Sequence, residues 1–200
     1  MKFYSQPGVC RSLPQKIYSE RIADGDAGVH QTIALMETLV RGPEGVRCPD
    51  VRQAALEAAR GTERGMDEIQ AVFTWVRDNI EFRGEYGETL QTPKMTLYYR
   101  AGDCDDQSML QKAILESLGY QARFRTVALA DSAEDLSHVY VEVFDRKYRQ
   151  WVPVDTTVAR AYPGWQPEDV ARGFNYAPTG THNALLEGLG ALAALLAFGL

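Results

Sequence analysis

The run Ser137-His138-Val139-Tyr140-Val141-Glu142-Val143-Phe144 alternates with period two and is built from β-branched and aromatic residues. This is the pattern of a strand with one buried face. A polar turn region, Asp145 to Arg149, follows, and Gln150 to Thr156 then reads as the returning strand. A hairpin symmetric about the Arg146–Lys147 bond sets Asp145 opposite Tyr148, Phe144 opposite Arg149 and His138 opposite Asp155. Directly opposed residues share a sheet face with Cβ atoms about 4.5–5.5 Å apart. A His–Asp hydrogen bond fits that spacing, and the carboxylate would fix the imidazole tautomer and stabilise its charged form. Pro153 cannot donate to a ladder, so its strand lies at an edge or carries a bulge, and a bulge would move the register by one.

A second stretch, Ala101-Gly102-Asp103-Cys104-Asp105-Asp106-Gln107-Ser108, opens a helix expected over Asp105 to Leu118. Met109, Leu110, Ala113, Ile114 and Leu118 recur at helical spacing, and Gly119 is a natural stop. Gly102 permits a sharp turn before it. Cys104 therefore sits at a helix N-terminus, where free N–H groups and the helix dipole favour a thiolate and can hold an oxyanion. Asp103, Asp105 and Asp106 pull the other way, since carboxylates disfavour a second negative charge nearby. They also read as capping residues. Taken alone, this segment leaves open a buried structural cysteine and a catalytic one.

Four blocks in order resemble the transglutaminase-like cysteine-enzyme superfamily, whose core shares its design with papain-like proteases. They are Gly102-Asp103-Cys104-Asp105-Asp106, Leu118-Gly119-Tyr120-Gln121-Ala122-Arg123, His138 to Val143, and Trp151 to Thr156. Upstream, Val72 to Ile80 followed by Phe82 looks like the helix before the family's cysteine. The resemblance covers Met66 to Val158. It implies an α+β fold with helices packed on an antiparallel sheet, and a Cys104–His138–Asp155 triad acting on amide bonds, with no cofactor or metal. The Cys104 N–H is the default oxyanion donor, and Trp75, Tyr98 and Gln107 are candidates for a second.

The rest of the chain bounds this reading. A length of 200 residues suits one domain with an appendage. A net charge of −6 argues against nucleic acid as a partner, because phosphate binding needs a basic surface. Cys10, Cys48 and Cys104 form no Cys-x-x-Cys pair, which fits neither a disulfide framework nor a zinc site and points to a reducing compartment. Met1 to Ser12 has no apolar run that could serve as a signal peptide, so a cytoplasmic or virion-associated location is expected.

Helices are expected over Gln31–Val40, over Val51–Arg60 with Asp50 as N-cap and Gln53 closing a capping box, and over Met66–Ile80. Trp75 reads as core packing. Tyr98 and Tyr99 read as wedged under the cysteine helix or lining a substrate groove. A strand is expected over Tyr120–Leu129, then an acidic loop, Ala130 to Leu136, overhanging the site. His30 and His182 read as surface or satisfied residues. Tyr162 to Thr181 reads as ordered loop with a short helical piece near Glu168. The expected organisation is an arm and helical extension (1–65), a catalytic core (66–160), a loop-rich segment (161–183) and an apolar tail (184–200).

The tail, Ala184 to Leu200, is apolar nearly all round, yet its uncharged part is too short to span a bilayer. It could pack on its own domain, join a homo-oligomer or assembly partner, or touch a membrane. The expected function is a peptidase or amidase working on a protein or peptide substrate through a thioester. The alternatives are a cross-linking transglutaminase, and a phage or particle-associated assembly protein, since small transglutaminase-like proteins encoded among phage structural genes are similar in build.

Overall fold

The computed structural model describes residues 22–84, 89–130 and 136–176. Cys10, His182, most of the acidic loop and the apolar tail lie outside them. Among the described residues, five helices and six strands follow in the order α1 (Gly25–Arg41), α2 (Pro49–Ala58), α3 (Met66–Asn79), β1 (Glu81–Phe82), α4 (Pro93–Tyr99), β2 (Ala101–Gly102), α5 (Cys104–Ser117), β3 (Ala122–Leu129), β4 (His138–Asp145), β5 (Gln150–Val154) and β6 (Val170–Asn175). The expected class holds: helices pack on an antiparallel sheet of order β5-β4-β3-β6, with a small parallel pair, β1-β2, beside it.

The helix that begins at Cys104 is the centre of the molecule. α5 is buried on every side from Asp106 to Leu115, between α1–α4 on one side and β3–β4 on the other. Its apolar residues Met109, Leu110, Ala113 and Ile114 join Phe124, Val139, Val141 and Val143 of the sheet in one core. Being enclosed, it also buries polar side chains, and most of these are paired, as burial without partners is costly. Lys112, with no exposed surface, forms ion pairs with Glu116 and with Glu37 of α1. α1 and α2 share this core, with Ile33, Met36, Val40, Val51 and Ala55 in it.

Several local expectations are corrected. α1 begins six residues early, at Gly25, because its first turns are held by contacts with β6 that leave no trace in apolar periodicity. α2 begins at Pro49, whose fixed φ suits a first helical position, so Cys48 and not Asp50 is the N-cap. Gln53 then bonds Glu57, and no capping box forms. The short helix expected near Glu168 is the strand β6, which pairs with the edge of β3. Gly173 allows that approach, since a Cβ there would lie 2.8 Å from the Thr126 carbonyl oxygen. Tyr98 and Tyr99 are neither under the helix nor in a groove: they are 60% and 47% exposed at the end of α4. No helix among the described residues is long and apolar enough to cross a membrane.

The hairpin register also differs. β4 and β5 pair Asp145 with Gln150, Phe144 with Trp151 and Val141 with Val154, a shift of two residues from symmetry about Arg146–Lys147. The Asp145 carboxylate accepts from the N–H groups of Lys147 and Tyr148, and Arg149 adopts φ 55°, so the turn holds four residues. β5 is an edge strand, as Pro153 requires, and it carries no bulge.

Candidate active site

Cys104 is the first residue of α5 and is held there from three directions. Asp103 caps the helix, its Oδ1 accepting from the N–H groups of Asp105 at 3.1 Å and Asp106 at 3.2 Å. Asp106 faces inward, 1% exposed, and its Oδ1 accepts from the Gln91 N–H at 2.7 Å. Gly102 packs directly on it: a Cβ there would meet the Asp106 Cβ at 2.5 Å. One turn on, Ser108 Oγ donates to the carbonyl of Val139 at 3.2 Å, which fixes the helix start against β4 beside His138. Of the three aspartates, Asp103 is the cap, Asp106 an anchor, and Asp105 lies nearest the thiol, accepting from Cys104 Sγ at 3.8 Å.

His138 and Asp155 meet, though not as directly opposed residues. The ladder ends at Val154, and its register continued by one sets Asp155 opposite Tyr140. Diagonal neighbours on one face are about 7–8 Å apart, and His138 closes that distance with its ring. His138 Nε2 lies 2.7 Å from Asp155 Oδ2. Asp155 is 1% exposed, and its other oxygen accepts from Thr157, from the N–H at 3.0 Å and from Oγ1 at 2.7 Å. Both carboxylate oxygens are thus occupied in a fixed orientation. A shift of two residues keeps side chains on the same face, whereas a shift of one would have separated the pair.

Burial alone would raise the Asp155 carboxyl, but the hydrogen bond and charge of His138 and the two bonds from Thr157 outweigh it and hold it below its ordinary value. The Cys104 thiol goes the other way. Burial pushes it far up, Asp105 and Asp103 push it further, and backbone hydrogen bonds at Val139 and Asp105 only partly offset this. The helix terminus favours a thiolate, yet desolvation and two carboxylates prevail and hold the thiol well above its ordinary value.

Cys104 and His138 line one cleft of about 490 Å³. Its floor is Thr126 with Leu136 to Val139, and the facing wall is the first half of α1 with the two residues leading into Asp24. Several other residues flagged in the sequence have other work. Gln107 is 1% exposed and ties Gly102 O to Thr156 Oγ1, Trp75 packs at the core edge under Arg100, and neither lines the cleft. His30 Nδ1 is bonded to the Tyr176 hydroxyl at 2.8 Å. Cys48 is a buried core residue. Among the described residues no group of three or more His, Cys, Asp or Glu side chains is arranged to hold a metal ion. Sequence reasoning did not anticipate Thr157 or the α1 wall. The Asp155-Thr156-Thr157 spacing, in which a side chain bonds the backbone two residues on, is a signal that could have found the first.

Among solved structures the chain is similar to a candidate cysteine protease from Cytophaga hutchinsonii, at 17% identity and TM-score 0.49 over 73% of this chain and 56% of that one. It is also similar to a TGase, at 13% identity and TM-score 0.42, over 68% of this chain and 34% of that one. A third is Legionella pneumophila LapG, at 13% identity and TM-score 0.47, over 84% of this chain and 96% of that one. The chain thus spans little more than half of the Cytophaga protein. A search of curated proteins finds no match. The sequence profile of the transglutaminase-like superfamily matches residues 52–156, more than half of the chain and the whole of the segment from Gly102 to Asp155. The chain belongs to the transglutaminase-like superfamily.

Proposed function

We propose that the protein is a cysteine-dependent acyl-transfer enzyme that hydrolyses amide bonds of a protein or peptide substrate through a thioester on Cys104. The observation that carries this reading is the 2.7 Å contact between His138 Nε2 and a buried Asp155, beside a cysteine that opens a helix on the same cleft. Asp155 takes Nε2, so Nδ1 is the ring nitrogen left to act as base. As Sγ attacks the carbonyl carbon, the thiol proton passes to His138 Nδ1, and Asp155 stabilises the imidazolium without becoming protonated. The proton then goes to the leaving nitrogen, the C–N bond breaks, and an amine departs from the thioester. A water molecule, deprotonated by the same nitrogen, attacks the thioester, the C–S bond breaks, and the thiol is regenerated.

The oxyanion of each tetrahedral intermediate needs donors. Asp103 occupies the N–H groups of Asp105 and Asp106, so we assign the Cys104 N–H as the first-turn donor to the oxyanion. The raised thiol argues for proton transfer coupled to attack in place of a preformed thiolate–imidazolium pair.

The test is mass spectrometry of a protein mixture incubated with the wild type and with Cys104→Ala. New termini that require Cys104 support hydrolysis. Isopeptide cross-links that require it would replace water by a lysine amine as acceptor and make the protein a transamidase. Products that persist in Cys104→Ala would overturn the nucleophile.

A further inference from the structure

α1 serves two neighbours at once. Gly25, Gly28, Val29, Thr32 and Ile33 recur at three- and four-residue spacing and form the cleft wall that faces Cys104 and His138. The chain entering the helix folds tightly over this wall, since a Cβ at Gly28 would lie 2.0 Å from the Ala23 carbonyl oxygen. Asp26 and His30, four residues apart, point to β6 instead. The Arg172 guanidinium takes both Asp26 oxygens, Nη1 to Oδ2 and Nη2 to Oδ1, the latter at 2.9 Å. His30 Nδ1 is 2.8 Å from the Tyr176 hydroxyl, and its ring stands edge-on to Phe174 and Tyr176.

Arg172, Phe174 and Tyr176 alternate along the chain and so meet α1 from one side. The Tyr176 hydroxyl also lies 3.3 Å from Thr126 Oγ1, and Thr126 is in the cleft floor. One chain of contacts therefore runs from β6 through α1 to the wall, and through Tyr176 to the floor. Both α1 and β6 lie outside the residues shared with the superfamily profile.

We infer that Asp26 and His30, clasped by Arg172 and Tyr176, are positioning residues that set the width of the cleft in front of Cys104 and so select which acyl chains reach it. The inference rests on Cys104 being the nucleophile proposed above. With Ala23 closed over Gly28 and with Val29 and Thr32 beside it, the space in front of Cys104 admits an extended chain with a small side chain and excludes a bulky one. The Asp26–Arg172 pair is bidentate but partly exposed, with side chains 39% and 33% accessible, so it holds the wall by a small margin that one substitution removes.

The experiment compares labelling of Cys104 by iodoacetamide and by 5-iodoacetamidofluorescein, which share a reactive group and differ in bulk. Rates are read at Cys104 by peptide mass spectrometry on the full chain. In Asp26→Asn, Arg172→Ala and Tyr176→Phe the bulky-to-small rate ratio should rise about threefold to fivefold over wild type, as the open population grows. Iodoacetamide alone should change by less than about twofold. The charge-swapped double variant, Asp26→Arg with Arg172→Asp, should return the ratio toward wild type. An unchanged ratio, or a parallel rise with both reagents, overturns the inference. Circular dichroism checks folding, and Tyr176→Phe, which removes one hydroxyl, carries the test if Arg172→Ala does not fold. Cleavage products that persist in Cys104→Ala when a protein mixture is incubated with it would count against the nucleophile itself, a different result from an unchanged ratio.

Discussion

Asp155 lies opposite Tyr140, not His138, and the His138 imidazole reaches it diagonally, Nε2 to Oδ2 at 2.7 Å. The diagonal leaves room for Tyr140, whose ring centroid is 6.0 Å from that of His138 and which is 1% exposed. The pair is therefore shielded by an aromatic ring on the same strand face. A His–Asp bond removed from water is stronger than an exposed one and holds a single tautomer.

Asp155→Asn should slow acylation strongly and leave the fold in place. The amide can hold the wrong tautomer and cannot balance an imidazolium; in the Ser-His-Asp case the same change costs about 10⁴ in turnover. The depressed carboxyl also gives a stability signature. A group whose folded pKa lies below its unfolded value adds stability above the unfolded pKa and loses it as pH falls through the folded value. Wild type should lose this contribution on acidification below about pH 4, and Asp155→Asn should show a flatter acid limb in urea melts taken across pH. An unchanged rate with any verified substrate would leave Asp155 a hairpin residue only.

How much of this could be read from residues alone differs by element. β4 and α5 were legible because each buries a face with a clean period, and the face assignment of His138 and Asp155 survived a register error because the error was even. The register itself was not legible. It is set by the Asp145 side chain bonding Lys147 and Tyr148, a choice of turn that several sequences permit. The first turns of α1 and the whole of β6 were missed because what holds them is mutual and non-local. Asp26 and Arg172 are 146 residues apart, and neither segment has an apolar pattern of its own. The cleft wall is built from the first half of α1, which β6 braces from behind, so a candidate nucleophile could be named from the sequence while the shape around it could not. The direction in which the thiol is pushed was similarly hidden. Helix terminus and carboxylates were both visible, but the deciding factor, burial, was not.

Gly102→Ala should destabilise the chain by about 1–3 kcal/mol, the usual cost of overpacking. The added Cβ would meet the Asp106 Cβ at 2.5 Å and Oδ2 at 2.9 Å, and Asp106 is held by Gln91 on its far side. Thermal melts would register the loss, and slower labelling of Cys104 should accompany it, because Asp106 sits in the first turn that carries the cysteine. A variant as stable as wild type would mean that the Gly102–Asp106 approach relaxes freely.

Lys112→Met should cost about 3–5 kcal/mol at neutral pH, because it strands the carboxylates of Glu116 and Glu37 inside the helical layer. Burial already raises the Glu37 carboxyl, with Lys112 opposing. A carboxyl whose folded pKa is raised binds its proton more tightly in the folded state, so its contribution improves as pH falls through the folded value. The loss in Lys112→Met should therefore shrink from pH 7 toward pH 5 in denaturant melts. A pH-independent loss would assign the effect to the lost contact of the Lys112 ammonium over the Phe124 ring.

Asp105→Asn should make Cys104 more reactive at neutral pH while impairing nothing in the His138–Asp155 pair. Asp105 is the carboxylate in contact with Sγ, at 3.8 Å, and its charge holds the thiol up more strongly than that of Asp103. Asp103 is committed to the cap, so its removal would loosen the helix start and confuse the result. Replacing Asp105 by the isosteric amide removes one charge and keeps the volume. A nearby like charge shifts a pKa by roughly one unit or more, so the thiolate fraction, and with it the iodoacetamide rate at pH 7–8, should rise about tenfold. The wild-type rate should still be climbing at pH 9, since burial and both carboxylates hold the thiol high, and the Asp105→Asn curve should lie at lower pH throughout. Coincident curves would show that burial alone sets the resting thiol. If the curves separate but turnover falls in the variant, the charge has a second use, holding the thiol as a neutral donor until substrate displaces water from the cleft and His138 takes the proton.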